Sequence, residues 1–136
     1  MVDCKKVVQN YINAVVERTE GSGDQFFTNN YVMHFPNMGD LTKEMHAQVN
    51  EAFATGFPGI TAKILFQIQE GNMVASRVVW SGTHKGSFQG VPPTGKPVTI
   101  NVIRVDRFEG DKIAESWAEV NQMGLMMSIG ALPSPG

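Results

Sequence analysis

One cysteine, Cys4, in 136 residues leaves no partner for an intramolecular disulfide and no thiolate cluster for zinc or an iron–sulfur centre. No run of about 18 apolar residues occurs, so nothing reads as a membrane span. Met1-Val2-Asp3-Cys4-Lys5-Lys6 leads into a mixed segment, without the apolar stretch and small-residue cleavage site of a secretion signal, and the expected location is cytoplasmic. Charge of one sign is also missing. The 11 Lys and Arg are scattered among 13 Asp and Glu, for a net charge of −2, with no basic stripe of the kind that holds nucleic acid. What remains is ordinary for a globular protein: 42% hydrophobic and 18% charged residues, which argues against disorder. The length corresponds to one domain, residues 1–136, able to bury roughly two thirds of its unfolded surface. Eight methionines are many for this length, and their flexible side chains suit irregular cores and lipophilic pockets alike.

Val7, Val8, Tyr11, Ile12, Val15 and Val16 recur at helical spacing and predict a helix over roughly residues 3 to 19, stopped by Gly21-Ser22-Gly23. Asp24 is placed to cap a short turn through Gln25-Phe26-Phe27, and Tyr31 to Phe35 reads as a strand closed by Pro36 and Gly39. Leu41, Met45, Val49, Ala52 and Phe53 predict a second helix, with Thr42 as N-cap and Gly56 and Pro58 as its stop. After Pro58 the period falls to two. Ile60, Ala62, Ile64, Phe66 and Ile68 alternate with more polar residues as a half-buried strand, and Gly71-Asn72 turns the chain into Met73–His84. A Gly- and Pro-rich loop, Gly86–Pro97, precedes a strand from Val98 through Phe108. Glu109-Gly110-Asp111-Lys112 then makes a tight hairpin into Ile113–Met123, and the tail from Leu132 to Gly136 reads as loose. Helices followed by long antiparallel strands define an α+β plan: a curled antiparallel sheet wrapped around the N-terminal helices, with a conical ligand cavity between them.

Gly90-Val91-Pro92-Pro93-Thr94-Gly95-Lys96 matches phosphate-loop spacing up to the lysine, but Pro97 stands where a magnesium-binding Ser or Thr belongs. Two prolines remove amide donors, and a strand follows where a helix would have to start, so nucleotide binding is not expected. His34, His46 and His84 share no short metal-ligand spacing, and no cofactor is called for. His46, between Met45 and Ala47, reads as a solvated or boundary residue, whereas His34 and His84 each stand at a strand end.

If the last hairpin pairs with residue numbers summing to 221, Arg104 faces Trp117, Val102 faces Glu119 and Ile100 faces Asn121, all on one side of the sheet. That face would be either a solvated or dimer-facing side, or a pocket wall with a few converging polar groups.

The stretch Gly82-Thr83-His84-Lys85-Gly86-Ser87-Phe88-Gln89-Gly90-Val91-Pro92-Pro93-Thr94-Gly95-Lys96 resembles the signature loop of the SnoaL-like polyketide cyclases. Arg107-Phe108-Glu109-Gly110-Asp111-Lys112-Ile113-Ala114-Glu115-Ser116-Trp117 and the closing Met123-Gly124-Leu125 and Ile129-Gly130 are similar to that family's C-terminal strand and tail. Weaker likeness runs through Tyr31–Pro36 and Phe53–Pro58. The resemblance implies a cystatin-like α+β cone and ring closure by aldol chemistry without metal or cofactor. It also implies an acid/base aspartate four residues after the tryptophan. Here Trp117 is followed at that distance by Asn121, whose amide hydrogen-bonds a carbonyl or enolate oxygen but exchanges no proton in the working pH range. The expectation is therefore a cyclase or isomerase acting on a lipophilic polyketide- or terpenoid-type intermediate. Asn121 would polarise a carbonyl, Glu119 or His34 would transfer the proton, and Trp117, Arg104 and His84 would contact the substrate. Orientation of a reactive substrate by the cavity walls is a second route to the same product. A non-catalytic protein binding a hydrophobic small molecule is the alternative, and a homodimer is expected in either case.

Overall fold

The apolar stripe of the first helix needs a partner surface, and the sheet supplies it. A computed structural model describes residues 3–17, 25–36 and 38–130; the expected stop at Gly21-Ser22-Gly23, the cap at Asp24 and the tail from Leu132 lie outside these. Helix α1 (Cys4–Glu17) turns Cys4, Val8, Tyr11 and Ile12 inward, and Asp3 accepts the Lys6 amide at its first turn. Strand β1 (Phe27–Phe35) starts four residues before the expected Tyr31. It turns back into a short strand, β2 (Gly39–Thr42), where only a turn was expected. Leu41 belongs to β2 and not to the helix that follows. Thr42 caps α2 (Lys43–Gly56) by accepting the Met45 amide.

Four long strands follow: β3 (Thr61–Glu70), β4 (Met73–Thr83), β5 (Pro97–Glu109) and β6 (Lys112–Val120). The strand expected to reach Met123 stops at Val120 because Asn121 caps a last helix, α3 (Gln122–Ser128), through its side chain and the Gly124 amide. The six strands form one open sheet in the order β2-β1-β6-β5-β4-β3. The expectation of a wholly antiparallel sheet is corrected at one seam: β1 runs parallel to β6, with His34 opposite Trp117. Alternation along a strand shows which faces are buried but not the direction of its neighbour, and this seam joins residues about eighty positions apart.

Two bulges curl the sheet and re-phase its faces. Leu65 is extra in β3, between the pairs Ile64↔Val78 and Phe66↔Arg77. Phe66 and Ile68, expected on the buried face, therefore point outward and are 56% and 63% exposed. Ala114 is extra in β6, between Phe108↔Ile113 and Arg107↔Glu115. The helices α1 and α2 cover the concave face. One apolar cluster lies beneath α1 around Val8, Tyr11, Ile12, Val74 and Val78. A second lies around Phe57, Phe88, Ile100 and Leu125. Trp80 and Val102 pack against both.

The loop after β4 is fastened to the end of α2. Gly56 carbonyl oxygen accepts the amides of Lys85 and Gly86 at 3.2 and 3.1 Å, and the ring of Phe88 lies 5.0 Å from those of Phe53 and Phe57. A Cβ on Gly86 would stand 2.0 Å from the Thr55 carbonyl oxygen. Gly86→Ala is expected to cost about 1–3 kcal/mol through this backbone clash. Gly71→Ala, at a turn with φ +58° and open space around it, is expected to cost about 1 kcal/mol. Urea unfolding of the two variants checks the order; equal losses would show that the loop is not seated on α2.

Candidate active site

Between α2 and the concave sheet lies a partly open cavity walled by apolar side chains such as Met33, Val49, Phe53, Trp80, Ile100 and Val120. Its polar groups are Arg104, His46 and Asn50. Arg104 sits mid-strand on β5, where the inward alternation is Val98, Ile100, Arg104, Asp106, Phe108. The buried guanidinium is held by its neighbour two residues on: Nε and Nη2 donate to the two Asp106 carboxylate oxygens at 2.9 and 2.7 Å. Ser116 donates to the same carboxylate, and the guanidinium lies 5.0 Å from the centre of the Tyr11 ring. Nη1 is the one nitrogen not committed to Asp106 or Ser116. Asn50 donates to the Tyr11 hydroxyl at 2.9 Å, tying α2 to α1 above the guanidinium.

His46 is 3% exposed, against the expectation of a solvated or boundary residue. It packs among the rings of Phe27, Tyr31 and Tyr11, with centroids 5.8–6.3 Å away. Burial, and then the charge of Arg104, push its pKa down to about 3, so the imidazole is neutral at ordinary pH. A neutral imidazole carries one donor and one acceptor nitrogen. Burial raises the Tyr11 and Tyr31 phenols, which stay protonated. Among the described residues, no group of three His, Cys, Asp or Glu side chains converges as a metal site.

The residues singled out from sequence are dispersed. Pairs sum to 221 only next to the turn, at Glu109↔Lys112 and Phe108↔Ile113. Beyond the Ala114 bulge the sum is 222, so Arg104 faces Ala118, Val105 faces Trp117 and Ile103 faces Glu119. The expected Arg104–Trp117, Val102–Glu119 and Ile100–Asn121 pairs are thereby corrected: Trp117 and Glu119 stand on the convex face, and Asn121 lies beyond the end of β6. Asn121 caps α3 and is exposed. His84 is fully buried at the loop base, where Nδ1 accepts the Thr94 amide at 3.3 Å and Nε2 has no partner. His34 lies on the convex face, stacked on Trp117 at 5.3 Å. Of the six, Arg104 alone lines the cavity.

His46 and Asn50 are absent from the expected stripe Leu41, Met45, Val49, Ala52 and Phe53, in which Val49 and Phe53 do line the cavity while Met45 and Ala52 are exposed. The better stripe was available: His46, Val49, Asn50 and Phe53 repeat at i, i+3, i+4 and i+7, one helical face. Asp106 had a signal too, as the second charge in an otherwise apolar alternation.

An open, curled sheet with a cavity under its helices defines an α+β cone fold. The family comparison makes this specific: the model of the SnoaL-like polyketide cyclases matches residues 5–129, and the chain belongs to that family. Among solved structures it is similar to IdmH from Streptomyces antibioticus, a proposed polyketide cyclase (23% identical, TM-score 0.85, covering 94% of this chain and 99% of that one). It is similar also to AclR from Streptomyces galilaeus, a proposed hydroxylase (24%, 0.88, covering 98% and 85%). TsrD from Streptomyces laurentii is a third (21%, 0.81, covering 94% and 95%). These likenesses establish the fold. No curated protein matches the chain.

His34 has a structural part to play on the convex face. Nε2 lies 2.6 Å from a Glu115 oxygen and Nδ1 lies 2.7 Å from Asp40, so one ring bridges β6, β1 and β2. Arg107 holds the other Glu115 oxygen at 3.2 Å. The Glu115 hydrogen bond, then that of Asp40, raise the His34 pKa above 6.5, and His34 in turn lowers Glu115 below 4.5. The histidine's contribution to stability is complete below 6.5 and is lost as pH rises through its raised folded value. That of Glu115 is complete above 4.5 and is lost as pH falls through its lowered folded value. The clamp is therefore strongest between those two ordinary values. In a pH series of urea midpoints, the wild type is expected to lose stability on the alkaline side. His34→Gln is expected to flatten that limb, and an unchanged limb would remove His34 as its source.

Proposed function

We propose that the chain is a cofactor-independent cyclase or isomerase that binds a lipophilic polyketide- or terpenoid-type intermediate in this cavity. Arg104 and Asn50 act on the reacting carbonyl oxygen, and His46 moves the proton. The observation that supports this most is the neutral, buried imidazole of His46 beside the Arg104 guanidinium, facing an apolar cavity. An empty site disfavours the imidazolium twice, through burial and through the nearby cation. Proton transfer creates the enolate and the imidazolium together, so the net charge of the site is unchanged, and the new anion beside the imidazolium offsets both costs as His46 takes the α-proton. The enolate carbon then attacks a second carbonyl of the folded substrate, and the proton on His46 passes to the new alkoxide. In isomerisation the same proton returns to a different carbon. The apolar walls contribute by holding the chain folded, which alone is worth several kcal/mol.

This assignment moves proton transfer from Glu119 or His34 to His46, and carbonyl polarisation from Asn121 to Arg104 and Asn50. The Asn121 side chain is engaged by the Gly124 amide, and the Glu119 carboxylate stands on the opposite face of the sheet from the cavity.

The convex face supports a homodimer. One transverse row reads Phe66, Arg77, Ile103, Glu119, and the next reads Ile68, Ala75, Val105, Trp117, His34. Phe66, Ile68 and Ile103 are more than half exposed, and the row is self-complementary: a two-fold axis at Ile103 brings Arg77 of one protomer over Glu119 of its partner.

His46→Gln is expected to lower kcat by about 10²–10⁴-fold while ligand affinity changes little. Glu119→Gln is expected to stay within about twofold, since no bound ligand reaches it. Full activity in His46→Gln would remove the histidine from the mechanism. A wild type that binds such an intermediate and never turns it over is instead a binding protein. Light scattering is expected to show a wild-type dimer and an Ile103→Lys monomer; a monomeric wild type at micromolar concentration sinks the interface.

A further inference from the structure

We propose that the cavity selects an uncharged oxygen function, a ketone, enol or phenol, over a carboxylate, and that Asp106 sets this choice. The inference rests on the ligand-cavity reading above and adds the charge class of the ligand. Around the guanidinium stand Tyr11 from α1, Tyr31 from β1, His46 and Asn50 from α2, Ser76 paired across from β4, and Ser116 from β6. Among the described residues that line the cavity or hydrogen-bond the guanidinium, Arg104 is the one cation and Asp106 the one anion, 6% and 0% exposed, and the buried Lys43, one turn before His46, stands outside that lining. The lining therefore carries no net charge.

The pairing geometry leaves little of the cation for a ligand. Oδ2 of Asp106 takes Arg104 Nε, and Oδ1 takes both Nη2 and the Ser116 hydroxyl. A bidentate pair of this kind spends the guanidinium's charge on a partner two residues away. The guanidinium also reaches the Tyr11 hydroxyl, so an arriving carboxylate would find no uncompensated positive charge and would sit as an extra anion among apolar walls. A carbonyl oxygen accepts an N–H of Arg104 or Asn50 at no such cost, and an enol or phenol O–H matches the acceptor nitrogen of the neutral His46. Asp106 is thus a specificity-determining residue that no ligand touches. An acid can enter only with a proton, carried by itself or taken up by His46, so its affinity must climb as the pH falls. A ketone's affinity has no reason to change.

The test uses the full chain and an isosteric pair of probes, 2-acetylnaphthalene and 2-naphthoate, with dissociation constants from equilibrium dialysis. In the wild type at neutral pH the ketone is expected to bind at least about tenfold more tightly than the acid. The acid is expected to gain about tenfold per pH unit as the pH is lowered, while the ketone stays constant. Asp106→Asn, checked for folding by near-ultraviolet circular dichroism, is expected to move the ratio towards the acid by about tenfold or more. Should that variant not fold, the wild-type ratio and its pH dependence still decide. Equal or tighter binding of naphthoate by the wild type, or an unmoved ratio in folded Asp106→Asn, overturns the charge selection and leaves the cavity reading standing. Binding of neither probe overturns both.

Discussion

The Arg104–Asp106 pair is the constraint around which the concave side is arranged. Two opposite charges two residues apart on one buried strand face are tolerable only if each satisfies the other and the remaining hydrogen-bonding positions are filled. Both Asp106 oxygens are occupied, Ser116 completes the set from the neighbouring strand, and the Tyr11 ring covers the guanidinium from α1. Removing one partner from such a pair typically costs about 3–5 kcal/mol, because the other charge is left stranded. The same contacts dictate where the helices lie. Tyr11 has to sit over the guanidinium, Asn50 reaches Tyr11, and α2 is thereby held with His46 facing the cavity. The ion pair thus links the position of the site to the seating of both helices.

Much of this was legible in the chain and some was not, for identifiable reasons. The change of period at Pro58 located the passage from helices to strands. Thr42 marked the start of α2, and Gly110-Asp111 marked the tight hairpin that β5 and β6 form. The loop and C-terminal strand motifs pointed to the family that the comparison establishes. Pairing across the last hairpin failed at Ala114 because a bulge has no propensity signature: Ile113-Ala114-Glu115 reads as uninterrupted strand, and the slip shows only in the partner register. The parallel seam was hidden for a similar reason, since it depends on where the first strand docks after the rest of the sheet exists. For α2 the information was present, but Met45 and Ala52 took the places of His46 and Asn50 in the stripe.

The convex face has a different economy of interactions. His34 fastens the parallel seam through carboxylates on both flanking strands, and Trp117 stacks on its ring. Residues that looked like chemistry in the sequence here do the work of closure, joining the first and last strands where backbone pairing alone is irregular. The division is consistent: the inward-facing charges, Arg104 and Asp106, are committed to each other and to Ser116, whereas the outward-facing ones span strands.

The bulge at Ala114 also bears on how such a protein changes over generations. Because Ala114 is the extra residue, losing it would leave an unbroken ladder in which Glu115 still pairs with Arg107, Ser116 with Asp106, and every later side chain keeps its face. Losing the bulge while keeping Ala114 would do the opposite: Trp117 and Glu119 would enter the cavity, while Ser116 and Ala118 would leave it and the Asp106 carboxylate would lose its hydroxyl donor. The strand therefore tolerates a shorter β6 at this point better than a straightened one. A lineage that straightened the strand without shortening it would acquire a newly furnished cavity in one step, provided that β5 no longer carried a buried ion pair needing support.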